Sequence, residues 1–488
     1  LKNVPLRGFD VILTPGQIFG DPRLIEKSTG VPTFKGPRYA ADLPMVLNLY
    51  GEVELSKDVP ACELLKERLR EKVLEELSTA ERDRDRLLSR PGNMTIGTVP
   101  VGKDFPMRVL AEIVDAPLLS DKEISERAIY YRRQGADMID VGMVAGGGRA
   151  RDAWRAVRAA KSAVGCPVSI DTLDPEEAKA GVEAGADLVL SLDAGNVEEL
   201  SGFAKEVAVV VIPTDHSAGV FPKEPYERVE MMKRNIDSAR KKGVTRILAD
   251  LILDPITSPG FVKSLVSFYM FAKEEPEMPL FCGVGNVVEL LDADTPGVNA
   301  LVAGVASELG ASLVLTTEAS DKSRGSVGEL ATASKMMFLS KRRESPPTGL
   351  GIDLLCLKDQ PLLEEPFDPS NLKGAREVKP QPEIGFQPDP KGCFKIMIDR
   401  GSGRIVAIHY PPGEGRPDLY VRGETAQEIY RALLSTNMVS DMIHSAYLGY
   451  ELGKAEAALR SGKGYVQDSM LFNRRLRPSR PYPVTRRV

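Results

Sequence analysis

The stretch Cys166 to Leu190, "CPVSIDTLDPEEAKAGVEAGADLVL", opens apolar, and its first run, Pro167 to Asp171, ends on a carboxylate. That run reads as a buried strand. From about Pro175 to Ala184 the spacing becomes helical, with Asp174 placed to cap the helix and Pro175 at its first position. "EAGADLVL" then begins another apolar strand with no room for a hairpin partner. Strand, tight turn, helix and strand in this spacing make a crossover unit of a parallel sheet. Binding groups of such sheets collect at the carboxyl ends of the strands, where Asp171 falls.

The same unit recurs from Met107 to Ser340. Eight apolar runs, "MRVLAEI", "ADMIDVG", "PVSID", "ADLVLSL", "VAVVVIP", "RILADLIL", "PLFCGVG" and "ASLVLTT", are each followed by a segment with helical spacing. "RRQGADMI", "VEAGADLV" and "SELGASLV" share one grammar, in which Gly135, Gly185 and Gly310 end a helix before an apolar strand. Eight units over this length predict a closed (β/α)8 TIM barrel, with a doubly wound open sheet as the alternative. The expected fold is therefore α/β, with a partial N-terminal α/β domain over 1–60 and a helical linker over 61–106. The barrel spans 107–343, an extended Pro-rich connection 344–390, a small C-terminal α+β domain 391–475, and a basic tail 476–488.

In the first segment, strands are expected at Phe9–Leu13 and Pro32–Phe34, and helices near Arg23–Lys27 and Ala40–Leu49. A charged helix follows from about Ala61 to Leu88. The last domain opens with a hairpin, "CFKIMID", "RGSG", "RIVAIHY", followed by helices near Thr425–Leu434 and Val439–Arg460. On the second of these, His444, Tyr447 and Glu451 fall on one face. The chain begins at Leu1 and enters a strand by Phe9, so it reads as a fragment or a processed product.

With 69 acidic against 64 basic residues, the formal charge is -5, which disfavours nucleic-acid binding by bulk charge. The five cysteines, Cys62, Cys166, Cys282, Cys356 and Cys393, form no CxxC pair, and only three histidines are present. A reducing, cytoplasmic setting is expected, with no protein metal site of the zinc or iron-sulfur type. No apolar run reaches transmembrane length, so no membrane partner is expected.

At the carboxyl ends of the eight runs stand Glu112, Asp140, Asp171, Ser191 with Asp193, Thr214 with Asp215 and His216, Asp254, Asn286, and Glu318 followed by Lys322 and Arg324. A single such residue is usually a helix cap or a rim hydrogen bond. Eight apolar strands that each end in a polar group point to a shared site, because such groups are costly to bury unpaired. An ionised carboxylate offers only acceptors, so Asp171 and Asp254 suit a heterocycle with several N–H donors, and Asn286 suits a position of mixed character. Glycines in "GMVAGGGR" leave the strand-two loop free to approach a ligand or close over it, and Arg149 is placed to meet a phosphate.

On these motifs the sequence resembles the pterin-binding barrel family of dihydropteroate synthases and methyltetrahydrofolate-dependent corrinoid methyltransferases. It is most similar to the synthase-related proteins of organisms that make tetrahydromethanopterin. "GADMIDVG" matches the strand-two motif. "PVSIDT" and "LILDP" match the strand-three and strand-six motifs, whose aspartates bind pterin, here Asp171 and Asp254. "GVGN" is similar to the methyltransferase segment whose asparagine contacts the pterin, here Asn286. The strand-seven lysine of the synthases is absent, since Gly285, Asn286 and Val287 stand there.

The resemblance implies a reduced pterin as substrate or ligand, held by Asp140, Asp171, Ser191, Asp193, Asp254, Asn286 and Glu318. One implied reaction condenses a dihydropterin methyl diphosphate with an arylamine, with Lys322, Arg324 and Arg149 receiving the diphosphate and Mg2+ accompanying it. A second is methyl transfer from a methylpterin to a separate corrinoid protein, because no Asp-x-His-x-x-Gly segment is present. A third is a pterin-binding scaffold without turnover. A homodimer is compatible with each.

Overall fold

The computed structural model describes residues 8–357 apart from 17, 19, 39–42, 49 and 53, together with 372, 374–380 and 389–472. The expected basic tail and about half of the Pro-rich connection lie outside the described residues, as do residues 1–7 and both ends of the helix expected near Ala40–Leu49. The chain divides into two compact units, Leu1–Leu363 and Glu364–Val488. No described helix is long and apolar enough to cross a membrane.

In the first unit, β1 (Ile12–Thr14) and β2 (Thr33–Lys35) pair in parallel around the helix Pro22–Thr29. The charged helix runs from Ala61 to Arg82 and breaks at Asp83 before a short helix, Arg84–Leu88. An antiparallel hairpin of β3 (Asn93–Ile96) and β4 (Val99–Gly102) then stands within the segment expected to be a helical linker. Its Ile96 and Val101 are fully buried among the first inward-facing residues of the barrel and plug its amino-terminal end. Four-residue strands around a turn are too short for periodicity to single them out.

Eight parallel strands follow: β5 (Arg108–Ile113), β6 (Met138–Gly142), β7 (Val168–Asp171), β8 (Leu188–Leu192), β9 (Ala208–Val211), β10 (Ile247–Ala249), β11 (Leu280–Gly283) and β12 (Ala311–Thr317). They close in the order β10-β11-β12-β5-β6-β7-β8-β9, which makes the sheet a barrel rather than an open layer. Side chains alternate across each strand. Leu110, Met138, Leu188, Ala208, Val210, Leu248, Phe281 and Leu313 face inward and pack on one another. Val109, Ala111, Ile139, Val141, Ile170, Val189 and Val314 face the surrounding helices.

The helices start and stop where local chemistry sets them. Asp174 accepts from the backbone of Glu176 and Glu177 at the head of Pro175–Glu183. Gly135, Gly185 and Gly310 take φ of 107°, 106° and 88°, a conformation that costs other residues energy. After β8 the expected helical segment is a single turn, Val197–Leu200.

The second unit pairs β13 (Cys393–Asp399) with β14 (Arg404–Tyr410) as the hairpin pattern requires, and adds a third antiparallel strand, β15 (Leu419–Gly423). Helices Ala426–Ser435 and Met442–Ser461 cover one face, closing a core of Phe394, Ile396, Ile405, Ala407, Ile429, Leu433, Leu448 and Leu452. The face that carries His444, Tyr447 and Glu451 turns into this unit. His444 is buried beside Phe394, Tyr447 Oη bonds Asp468, and Tyr465 Oη donates to Glu451 at 2.8 Å. Ile405→Ala removes a fully buried side chain here, and we expect it to destabilise this unit by about 2–5 kcal/mol. Hydrogen exchange should report faster exchange at the amides of β14 and no change in the barrel strands.

Candidate active site

At the carboxyl-terminal mouth of the barrel, the alternation that fills the interior with Leu110, Met138 and Leu248 continues into polar residues. Two positions beyond each stand Glu112, Asp140 and Asp250. Asp171 ends β7, two residues beyond Ser169, whose hydroxyl donates to Asp140. Carboxylate oxygens of Glu112, Asp140 and Asp171 lie within 4.8 Å of one another. Asp250 adds a fourth acid, and its charge acts on Asp171.

These groups share one electrostatic problem. Burial pushes the Glu112 carboxyl up to about 7, and the neighbouring Asp171, Asp115 and Glu289 push in the same direction. Burial, and then the Asp250 charge, raise Asp171 to about 7. Asp250 is raised to about 7 by burial, although the Ile252 N–H at 2.8 Å and the positive charge of Arg228 pull the other way. Asp140, fully buried, is raised well above the usual carboxylate range by burial and by Asp171 and Glu112, against the Ser169 bond. Like charges this close favour shared protons or an external donor.

Asp254, the strand-six residue expected from sequence, turns toward the outer helices. Asp254 accepts from Arg228 Nη2 at 2.5 Å and from Ser264 Oγ at 2.9 Å, and both partners belong to the outer helices Pro225–Lys241 and Phe261–Glu274. Its charge is committed to that buried ion pair. Between Asp250 and Asp254 the chain leaves the strand through Ile252 at φ 64°, so the inward acid of this segment is Asp250. The parity of "LAD", Leu248 to Asp250, carried that information.

Other expected site residues are likewise engaged. Asp193, wholly buried, accepts from Thr214 Oγ1, the His216 backbone and Gly195 N, each at 2.8 Å, and pairs with His216 Nδ1 at 2.8 Å. It is the bracket joining the loops after β8 and β9. Asp215 turns its own loop by accepting from Ser217 Oγ and Ala218 N. Glu318 accepts from Val327 N and Tyr130 Oη, each at 3.2 Å, and so faces the helices Asp121–Gln134 and Ser326–Arg342. Ser191 lies on the rim, its carbonyl accepting from Asn196 Nδ2 at 3.0 Å. Asn286 is exposed on the short helix Gly285–Glu289, with Nδ2 at 3.3 Å from the Leu253 carbonyl.

The three expected cations do not converge. Lys322 Nζ caps the Val288 and Leu291 carbonyls. Among the described residues, Arg324 pairs with the exposed Asp321 at 3.1 Å, and Arg149 with Asp152 at 3.4 Å. Pairs of that kind are worth at most about 1 kcal/mol, so both guanidinium groups can turn to another anion. The strand-two loop is anchored rather than free. Asp174 Oδ2 accepts from Gly148 N, and buried Glu177 accepts from Arg149 N at 2.9 Å and Thr172 Oγ1 at 2.5 Å. A Cβ on Gly147 would lie 2.4 Å from Asp174 Oδ2, so the glycine permits that closure. A cleft of about 260 Å³ lies at the opposite end of the barrel, beside Lys103, Lys273 and Ser312, away from the carboxylates.

A closed parallel barrel with inward carboxylates at its carboxyl-terminal end has the features of a small-molecule binding site. The comparisons make the class specific. The family described as "Pterin binding enzyme" matches residues 115–314, and one described as "PterinBD-DUF4346" matches residues 388–468. "Uncharacterized protein MJ0107" of Methanocaldococcus jannaschii is 40% identical over 469 residues, covering 95% of this chain and 87% of that protein. A "Ycf91-like protein" of Nostoc is 31% identical over 105 residues, 16% of this chain and 83% of that protein. Among solved structures, dihydropteroate synthase from Xanthomonas albilineans in complex with 7,8-dihydropteroate aligns at 17% identity and a TM-score of 0.42, covering 52% of this chain and 100% of that one. The chain carries a pterin-binding domain related to dihydropteroate synthase-like proteins, and it belongs to one family with the Methanocaldococcus jannaschii protein.

Two measurements check the electrostatics. A carboxyl whose native pKa lies above its unfolded value contributes stability in full below the unfolded value, about pH 4, and loses it as pH rises through 7. In chelator-treated protein the melting temperature should therefore fall between about pH 5 and pH 8. Asp250→Asn keeps the acceptor for Ile252 N–H and should raise the melting temperature at pH 8 by about 2–4 °C, roughly 1 kcal/mol, with little effect at pH 5. Conversely, Arg228→Met leaves Asp254 buried and unpaired, and should cost about 3–5 kcal/mol by denaturant titration at pH 7.

Proposed function

We propose that this chain binds a reduced pterin at the barrel mouth and acts as a transferase on it, condensing a dihydropterin methyl diphosphate with an arylamine. The observation that carries the pterin reading is the inward ring of Glu112, Asp140, Asp171 and Asp250, four acceptors at one end of an otherwise apolar barrel. A reduced pterin presents N–H donors along its 2-amino-4-oxo edge and its reduced ring, which is the complement of such a surface. Asp171 and Asp250 are the acceptors assigned to that edge. In the condensation, the amine nitrogen forms a bond to the pterin methylene carbon while the bond to the diphosphate oxygen breaks. The amine loses a proton to solvent and the diphosphate departs. Arg324 and Arg149, held among the described residues by weak surface pairs, are the cations assigned to the leaving group, whereas Lys322 is tied to backbone carbonyls.

A second reading, methyl transfer from a methylpterin to a separate corrinoid protein, is favoured by Asn286, whose exposed amide has one hydrogen bond and stands on the rim. It needs no diphosphate site. We expect calorimetry to show that a reduced pterin binds and that Asp171→Asn or Asp250→Asn weakens it about tenfold or more, the scale of one charge-assisted bond. Unchanged affinity in both would remove the carboxylates from the site. Diphosphate release that depends on an added aminobenzene derivative and falls in an Arg149→Ala, Arg324→Ala variant supports the condensation. Cobalamin methylation with no such release supports the second reading, and silence in both assays supports a scaffold.

A further inference from the structure

We propose that His216, oriented by Asp193, is the base that takes the proton of the attacking amine. This rests on the condensation proposed above and gives a residue to a proton transfer that has none there.

Asp193 does more than join two loops. Its Oδ1 meets Gly195 N and His216 Nδ1, and its Oδ2 meets Thr214 Oγ1 and His216 N, each at 2.8 Å. A carboxylate offers only acceptors, so all four partners bring the hydrogen, and the ring carries its own on Nδ1. In the neutral imidazole, Nε2 is then a bare lone pair whose direction the Asp193 bond fixes. Space for the ring is kept by Gly195, where a Cβ would lie 2.8 Å from Nδ1.

Among the described residues, nothing hydrogen-bonds to Nε2. His409 supplies the contrast. Its Nδ1 lies 2.6 Å from Asp418, its Nε2 lies 3.1 Å from the Lys391 carbonyl, and its side chain is 1% exposed, so both nitrogens serve the fold. The His216 side chain is 30% exposed although Asp193 is wholly buried, which leaves the Nε2 edge as the open one.

The fold sets that edge at the carboxyl-terminal mouth. Asp250 N donates to the Val211 carbonyl at 2.9 Å, so the segment after β9 rises beside Asp250, one of the acceptors assigned to the pterin. Asn235 Nδ2 fixes that rise by donating to the carbonyls of Ile212 and Thr214, at 2.8 and 3.0 Å. As the amine nitrogen bonds to the pterin methylene carbon and the carbon-oxygen bond to the diphosphate breaks, the N–H electron pair stays on nitrogen and the proton moves to Nε2. The imidazolium has the charges of Asp193 and Asp215 beside it until it releases the proton to solvent.

The test uses the full chain with 15N-labelled histidine. It has three imidazoles, and His216 is assigned by the signals that His216→Asn removes. In wild-type protein, long-range 15N NMR at neutral pH should show a proton on Nδ1 and none on Nε2 of His216. Adding 4-aminobenzoate to protein saturated with reduced pterin should shift that Nε2 and leave those of His409 and His444 in place. Asparagine keeps a donor for Asp193 and lacks the base, so folded His216→Asn should bind pterin with unchanged affinity and lose about tenfold or more in kcat. That loss is modest for a general base, because an arylammonium gives its proton readily even to water. A proton on Nε2, a His216 signal that the amine does not move, or unchanged kcat in the folded variant overturns the proposal. If the variant does not fold, the wild-type NMR decides alone. Calorimetry separates the two readings: where reduced pterin binds and the amine leaves His216 unmoved, the base alone falls, and where no pterin binds, the reading beneath it falls and takes the base with it.

Discussion

The two-residue alternation of a closed parallel barrel governs this molecule. Once eight strands close, every second side chain must enter a space with no water and no neighbour except the other inward residues. Over the lower part of the strands those residues are Leu, Met, Val, Ala and Phe, and they fill the interior together with Ile96 and Val101 of the hairpin. At the upper end the same positions carry Glu112, Asp140, Asp171 and Asp250. Binding chemistry and core packing are thus consecutive residues of one pattern. The acids are held at the partly enclosed mouth, where water screens them poorly, because the strands that carry them cannot turn them outward.

Around that ring, a second set of polar residues fixes the loops. Asp193 joins the loops after β8 and β9, Arg228 with Asp254 and Ser264 fastens the segment after β10, and Glu177 with Asp174 ties the loop after β6 to the one after β7. Glu289 does the same for the segment after β12, accepting from Ala319 N and from the Ser320 and Ser323 hydroxyls. Although burial works against its charge, those bonds hold its carboxyl below the usual range. The two groups of acids differ in what surrounds them. Bracketing carboxylates have their donors within the chain, whereas those in the ring have few or none, which is the condition under which a buried polar group is available to a ligand.

Much of the fold was legible because its signals are local. The strand-helix repeats, the Asp174 cap, the three glycines that end helices, and the β13-β14 hairpin are each set within a few residues and appear at or within a few residues of where the pattern places them. The β3-β4 hairpin and β15 escaped, because strands of four or five residues between turn residues have too little periodicity to display. In the site, Asp171 and Asp140 followed from ending apolar strands. Asp254 was expected from its motif alone, and a motif of four or five residues does not record which way its aspartate points.

By itself the sequence determined the number of strands, the end of the barrel at which polar groups gather, and the acidic character of that end, since all three depend on residue type and spacing. Only the tertiary structure decided which of those polar groups find partners. That outcome depends on side chains twenty or more residues away, such as Arg228 for Asp254 and Thr214 for Asp193, and on a left-handed residue at Ile252 that sends the chain out of its strand. A carboxylate is described by its own letter, but whether it is free to meet a ligand depends on the donors that folding brings to it.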